Sequence, residues 1–276
     1  MARIIAVGNR KGGVGKTTTI IELAKEFSDR DYTVLVVDFD PQGNATHKLL
    51  GLELDEDLEE GMSQAMDLFM QPKIGIVDCI YKATDDWPNV HILPSSDTLA
   101  NLDVLLNGRM GYEKILRNKL TEIESSYDVI LIDTGPEINV KTFLAFFASD
   151  LVLIPTDLSE DAHNGIYAAY AVLDSLAEHS GRDNISRTIL ITQSQKEHSK
   201  AHKIAKQRLI KDFGSAVIDS FTIPHRAKVR ESSWAFTPAI SAKTVFNKSK
   251  KSQEQFVLSY KKLAETVYGE SRSEDN

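Results

Sequence analysis

Twelve consecutive residues, Gly8-Asn9-Arg10-Lys11-Gly12-Gly13-Val14-Gly15-Lys16-Thr17-Thr18-Thr19, follow the short apolar run Ile4-Ile5-Ala6-Val7. Glycines at this density let backbone N–H groups wrap a polyphosphate without Cβ clashes. A helix opening at Lys16 would aim its positive end at the same anion. In a loop of this kind Lys16 contacts the β- and γ-phosphates and the Thr17 hydroxyl ligates Mg²⁺. Gly12, Gly13, Val14, Gly15, Lys16, Thr17 and Thr18 are therefore the candidate nucleotide-binding residues. The strict pattern wants Gly six positions before the lysine, and Arg10 stands there instead. What remains is KGGVGKTT, with a second lysine, Lys11, at its start. Two further sites supply carboxylates. Asp38 and Asp40 end the run Val34–Val37, and at i and i+2 on an extended strand they point the same way. Asp133 ends Val129–Ile132, where a strand-terminal carboxylate can hold Mg²⁺ or its waters.

These groups need a scaffold that brings three strand ends together. Short apolar runs at 4–7, 34–37, 90–93, 129–132, 151–154, 188–191 and 217–223 alternate with helical patterns near 16–28, 97–107, 111–125, 138–148, 160–179, 199–213 and 253–268. That alternation predicts repeated βαβ units: an α/β fold with a doubly wound, mostly parallel sheet and helices on both faces. Ligands then lie at the carboxyl ends of the strands, where all three motifs fall. The acidic run Glu53–Glu60 reads as a solvated loop or helix start. Met62, Met66 and Met70, at i, i+4 and i+8, read as one helix face used for packing.

The loop resembles that of the deviant Walker-type P-loop ATPases: the ParA partition proteins, MinD and the nitrogenase iron protein. The resemblance implies that Lys11 reaches across a dimer interface to the partner's ATP, so that dimerisation depends on nucleotide. It makes Lys11, Lys16 and Asp40 the catalytic candidates, with Asp40 orienting the attacking water. It makes Thr17, Asp38 and Asp133 the candidates for Mg²⁺. Pro41-Gln42-Gly43 looks like a switch loop that senses the γ-phosphate. ParA relatives usually carry two prolines after the Asp-Thr pair at 133–134. Gly135 replaces the first here, which implies a looser second switch. Val90–Ser96, Leu153–Thr156 and Ile223–Glu231 also fit the ParA pattern, with Pro224 near the adenine, so the likeness spans roughly 2–268.

The chain has 276 residues, 42% hydrophobic and 26% charged, which excludes wholesale disorder. One cysteine, Cys79, excludes a disulfide framework or an intrachain iron–sulfur site and reads as a small buried hydrophobe. The net charge of −8 conceals an asymmetry, because residues 196–262 hold 15 Lys and Arg against 5 Asp and Glu. In the helix predicted at 196–211, Lys196, Lys200, Lys203, Gln207 and Lys211 fall within about 80° of arc. Ala201, Ala205 and Leu209 lie opposite, on the side expected to face inward. Arg226, Lys228 and Arg230 form a second cluster, and Lys243, Lys248, Lys250 and Lys251 a third. Lysine clusters without a base-reading motif suit phosphate contacts to duplex DNA of any sequence.

The last helical pattern, Glu254–Tyr268, gathers Phe256, Val257, Tyr260, Leu263, Ala264 and Val267 on one face. A membrane-surface helix wants basic residues around that face, but the chain closes on the acidic stretch 269–276. We expect a docked core helix, a frayed tail and no stable membrane association. No apolar run approaches the roughly 20 residues of a membrane span, and Met1 leads straight into a strand. The expectation is a cytoplasmic, nucleoid-associated ATPase with one domain, 1–268, and no N-terminal helix-turn-helix. The resemblance implies an ATP-dependent homodimer that binds DNA non-specifically and is stimulated by a centromere-binding partner. The alternatives are a MinD-like positioning ATPase at a membrane, an electron-transfer protein like the nitrogenase iron protein, and a ligase-type ATP enzyme with a small-molecule substrate.

Overall fold

Strands form where the sequence runs apolar without a polar interruption, and their near-total burial follows from helices covering both faces. The computed structural model describes residues 1–52, 58, 61–71, 73–192, 199–224 and 250–269, with side chains from Glu254 onward in the last segment. Seven strands make one sheet: β1 (Arg3–Val7), β2 (Val34–Phe39), β3 (Tyr81–Lys82), β4 (Val90–Leu93), β5 (Val129–Thr134), β6 (Leu151–Thr156) and β7 (Ser186–Ile191). Their spatial order is β3-β4-β2-β5-β1-β6-β7. All neighbours are parallel except the short β3, which runs antiparallel on β4.

Each face has its own core. On one side α1 (Lys16–Ser28), α2 (Asn44–Leu50) and the last helix pack over Ile5, Val7, Val34, Val36, Val129 and Leu131. On the other, α3 (Asp67–Met70), α4 (Leu102–Leu106), α5 (Ile115–Thr121), α6 (Val140–Ala148), α7 (Glu160–Ser180) and α8 (Lys200–Phe213) cover Ile4, Ala6, Leu35, Val37, Ile130 and Ile132. The doubly wound α/β expectation therefore holds.

The final helix, α9 (Lys250–Tyr268), is docked as expected. Phe256, Tyr260, Leu263, Ala264 and Val267 are buried against α1, and Tyr268 meets the Phe27 ring at a tilt and the Tyr32 ring edge-on, with centroids 5.8 and 4.8 Å away. Arg30 Nη2 donates to Lys261 O at 3.1 Å and pins the turn. Cys79 is buried, and burial pushes its thiol up to about 11, so it is an inert core residue. No described helix is long and apolar enough to cross a membrane.

Three expectations fail. The run 217–223 is not a strand: Val217 makes one parallel bridge to Ile189, and Ile223 N–H donates to Ile191 O. Between them the Asp219 carbonyl takes the Lys206 ammonium instead of a ladder partner. The methionine stripe does not exist, because α3 begins only at Asp67; Met66 is buried while Met70 is exposed. The pattern at 111–125 breaks into α5 flanked by two 3₁₀ turns, and the one at 97–107 opens with a 3₁₀ turn. The acidic run 53–60 lies, apart from residue 58, outside the described residues, as does the tail beyond Gly269.

Docking of α9 predicts a sharp contrast between two of its own residues. Phe256→Ala removes a fully buried ring and should cost about 3–5 kcal/mol. Leu258→Ala, at a half-exposed position, should stay within about 0.5 kcal/mol. Urea denaturation of both variants checks this, and equal effects would contradict the packing.

Candidate nucleotide and magnesium site

Parallel register does most of the assembly. Asp38 and Asp133 are direct partners across β2 and β5, and Asp133 is the partner of Val7, the last residue of β1. Asp38 and Asp133 share the parity of Val36 and Leu131, whose side chains belong to the α1 face. Both carboxylates therefore lie under the start of α1, where Lys16 and Thr17 sit.

The loop between Val7 and α1 has the shape its glycines permit. Gly13 and Gly15 adopt φ of +75° and +91°, and a Cβ at either would meet nothing within 4 Å. The cradle is thus open, and its handedness disfavours any other residue. Gly8 is tight instead: a Cβ there would stand 2.6 Å from the Phe146 ring. Val14 is buried, and its carbonyl accepts from Thr192 Oγ1 at 2.8 Å, which ties the loop to the end of β7. Lys16 is buried, with Nζ 3.4 Å from Lys11 O. Burial pulls its ammonium below the usual lysine range, and Asp133 and Asp40 oppose that shift.

The three aspartates differ in how they are satisfied. Asp38 accepts from Asp40 N at 3.2 Å and from the N–H and hydroxyl of Thr46, both at 2.8 Å. Burial still raises its carboxyl to about 6, against those hydrogen bonds. Asp133 is equally buried, and neither of its oxygens has a hydrogen-bond partner. Burial and the neighbouring Asp38 push it well above the carboxylate range; the Thr17 hydroxyl lies near enough to temper this but closes no hydrogen bond. An unpartnered buried carboxylate is costly. Asp40 accepts from Gln42 N at 3.1 Å, and a Cβ at Gly135 would meet its Oδ1 at 3.2 Å. Glycine at 135 thus lets the loop after β5 lie against Asp40.

This donor set fits a magnesium ion. Mg²⁺ takes few protein ligands, often one or two carboxylates, and fills its octahedron with phosphate oxygens and water. Asp133 offers two uncommitted oxygens beside the Thr17 hydroxyl. Among the described residues no cluster of three or more His, Cys, Asp or Glu could hold a metal unaided.

Lys11 is held within its own chain. Its Nζ donates to Asp157 Oδ2 and to Ser159 Oγ, both at 2.7 Å. Burial would raise Asp157, but the Lys11 ammonium and Ser159 outweigh it and hold the carboxyl below its usual value. Asn9 braces the turn: its Oδ1 accepts from Lys11 N at 2.9 Å, and its Nδ2 donates to Pro155 O at 2.8 Å. A Cβ on Gly165 would overlap Asn9 Oδ1, so α7 packs directly against the loop. Sequence reasoning missed Asn9, Thr46, Asp157 and Ser159. Ser159 was findable, since Ser before Glu160-Asp161 is a helix N-cap signature, and its side chain does cap α7.

The candidate DNA-binding residues divide. Lys200, Lys203 and Lys211 are exposed along α8 with Gln207, as expected. Leu209 faces inward and Ala205 is half-buried, but Ala201 is exposed, because α8 meets the body only towards its C-terminal end. Ile204 is an exposed apolar residue within the lysine row. Lys196, Arg226, Lys228, Arg230, Lys243 and Lys248 lie outside the described residues, as do the side chains of Lys250 and Lys251. Pro224 is buried just past Ile223, at the carboxyl end of β7 and two strands from β1.

A family model described as an AAA domain matches residues 2–189. The chain is similar to the sporulation initiation inhibitor protein Soj of Bacillus subtilis strain 168: 32% identical over 192 residues, 70% of this chain and 73% of Soj. It is 28% identical over 231 residues to the chromosome partitioning protein ParA of Myxococcus xanthus, covering 84% of this chain and 78% of ParA. Among solved structures, the ATP complex of an aspartate-to-alanine variant of Cyanothece McdA matches with a TM-score of 0.82 at 19% identity, over 99% of both chains. At that identity the likeness speaks for the fold.

The orphaned carboxylate yields a pH prediction. Asp38 and Asp133 bind a proton more readily in the fold than in the unfolded chain, where their value is near 4. The fold therefore loses relative stability as pH rises above about 4, for Asp38 through about 6. Asp133→Asn removes one of these charges and should stabilise the protein by about 1–3 kcal/mol at pH 8, or about 2–4 °C in Tm per kcal/mol. The gain should shrink at pH 5. Thermal melts at both pH values check this, and a variant no more stable than wild type at pH 8 would contradict it.

Proposed function

Because the chain belongs to the ParA/MinD superfamily of partition ATPases, we propose that it hydrolyses ATP with Mg²⁺ to switch its hold on DNA. The observation that carries the nucleotide part is Asp133, buried, unpartnered and beside Lys16 and Thr17. The loop N–H groups of residues 12–18 bind the phosphates, and Lys16 neutralises the β/γ pair. Thr17 and Asp133 would hold Mg²⁺, with Asp38 supporting its water shell; when bound, the ion screens charge on the phosphate oxygens. Asp40 orients the attacking water, and Pro224 lies towards the adenine. The ATP and McdA pairing in a structure of this fold supports the choice of nucleotide.

Two ATP-bound subunits face each other, and Lys11 of each reaches the other's phosphates. To do so it must leave Asp157 and Ser159, so the intrachain ion pair opposes dimerisation until ATP outcompetes it. The dimer sets two lysine rows on one assembly, which makes attachment to nucleoid DNA depend on nucleotide. Intrinsic hydrolysis is slow, and a centromere-bound partner accelerates it. Burial of the apolar face of α9 against α1 favours this reading over a membrane-positioning one, because that face is already occupied.

Binding to an unrelated DNA duplex tests this, with ATP, ADP or no nucleotide at two salt concentrations. Wild type should bind tightly only with ATP, and Lys11→Ala should lose that dependence. Lys200→Glu with Lys203→Glu should weaken binding at least about tenfold and flatten its salt slope by about 2. Binding unchanged in the double variant would remove α8 from the DNA interface.

The latch on Lys11 makes a separate prediction. Asp157→Asn weakens the intrachain grip, so the variant should dimerise at lower ATP concentration than wild type, by about 3- to 10-fold. Sedimentation or light scattering across an ATP titration reads this directly.

A further inference from the structure

The residues that hold Lys11 open a helix, and one turn along that helix a histidine touches the far end of α8. Ser159 Oγ accepts from Lys11 Nζ and caps α7 by accepting from Ala162 N at 3.3 Å. Ser159 O accepts from His163 N at 3.0 Å. The His163 ring is buried, and its Nε2 lies 2.9 Å from Asp212 Oδ2 in the last turn of α8. Phe213, the final residue of α8, completes the joint, with its ring 5.4 Å from His163, 5.0 Å from Tyr167 and 5.1 Å from Tyr170. Arg208 stands 3.9 Å from the same Asp212 oxygen, and Arg187 stacks on Tyr170 at 4.5 Å.

What gives this joint leverage is where α8 is held: Leu209 and half-buried Ile210, beside Phe213, pack on the core at its C-terminal half. Leu209 is its only buried residue. The Lys206–Asp219 ion pair, at 2.6 Å, anchors it on a different side. A helix attached mainly through its C-terminal half takes its pose from that end, and the lysine row moves with it.

We propose that the His163–Asp212 contact transmits the state of Lys11 to α8, so that Lys11's departure from Ser159 repositions the lysine row. His163 and Asp212 are positioning residues: neither touches the phosphate loop. Release of Lys11 removes one partner of Ser159 and one of Asp157, which changes how the first turn of α7 is held. The His163 ring rides on that turn, and the hydrogen bond and the tilted ring contacts carry the change to α8. Coupling between sites of this kind is worth about 5- to 150-fold in an equilibrium. The inference rests on the roles given above to Lys11 and α8, yet it concerns their connection and can fail separately.

Hydrogen exchange on the full chain reads the connection without DNA. Amides of residues 200–213 are followed with and without Mg²⁺ and a slowly hydrolysed ATP analogue. Wild type should show an exchange change of at least about 5-fold in α8 on nucleotide binding. Asp212→Ala and His163→Ala should each abolish most of that change while basal ATP turnover stays at the wild-type level. Lys206→Ala, which loosens α8 elsewhere, should keep it, and so separates transmission from simple anchorage. The second α7–α8 variant also covers the case in which one of the pair does not fold. A nucleotide response that survives both variants, or no response in wild-type α8, overturns the proposal. A response as expected, without DNA binding under any nucleotide, upholds the coupling and refutes the DNA role of α8. ATP-dependent DNA affinity lost in Asp212→Ala while the exchange response of α8 stays intact also overturns it, because the contact would then only shape the surface.

Discussion

Two buried carboxylates side by side, one of them without a hydrogen bond, set the terms for the rest of this structure. Parallel pairing of β2 with β5 leaves Asp38 and Asp133 adjacent. Burial under α1 removes the water that would otherwise separate their charges. Three Thr46 and Asp40 donor groups relieve Asp38, while Lys16 lies close enough to Asp133 to temper its charge. Such a site is unfavourable as it stands and becomes favourable when a cation and a polyanion arrive together. The fold tolerates the cost because the carboxylates end strands that are otherwise among the most apolar in the chain.

The same reasoning explains why the phosphate loop is rigid on one side and open on the other. Gly8 is closed off by Phe146 and Val14 is tied to Thr192, so the loop's base is fixed. Gly13 and Gly15 face space, so a polyphosphate can approach the loop from that side. Lys11 lies at the boundary between these halves, and its present partners lie in the loop that leads into α7 and at its N-cap. Under the proposed function, Lys11 would exchange its own chain's Asp157 for a second subunit's phosphate, which would make it a switch with two defined positions. Its control reaches as far as the elements that hold it, which is why the α7–α8 joint matters.

Much of this was legible in the sequence, because the signals were local. Runs such as Val34–Val37 and Val129–Ile132 announce buried strands, and a glycine-rich turn between strand and helix announces a phosphate site. Asp133 was legible for the same reason, since it closes an apolar run. Asp157 and Thr46 were not, because their roles come from pairing across the sheet and the loops. Sequence spacing carries no trace of an ion pair between residues 146 apart, as Lys11 and Asp157 are. The methionine stripe shows the opposite error, in which a helical period was present and the helix was not. The run at 217–223 meets β7 only at its two ends, because Asp219 and Ser220 interrupt its apolar pattern in between.

The most direct test of the central claim is a calorimetric titration of ATP into the nucleotide-free protein, with Mg²⁺ and with a chelator, for wild type and Asp133→Asn. The account predicts that Mg²⁺ strengthens ATP binding to wild type by at least about tenfold and that Asp133→Asn loses most of this gain. Binding that ignores Mg²⁺ in wild type, or a full Mg²⁺ effect in the variant, would contradict it.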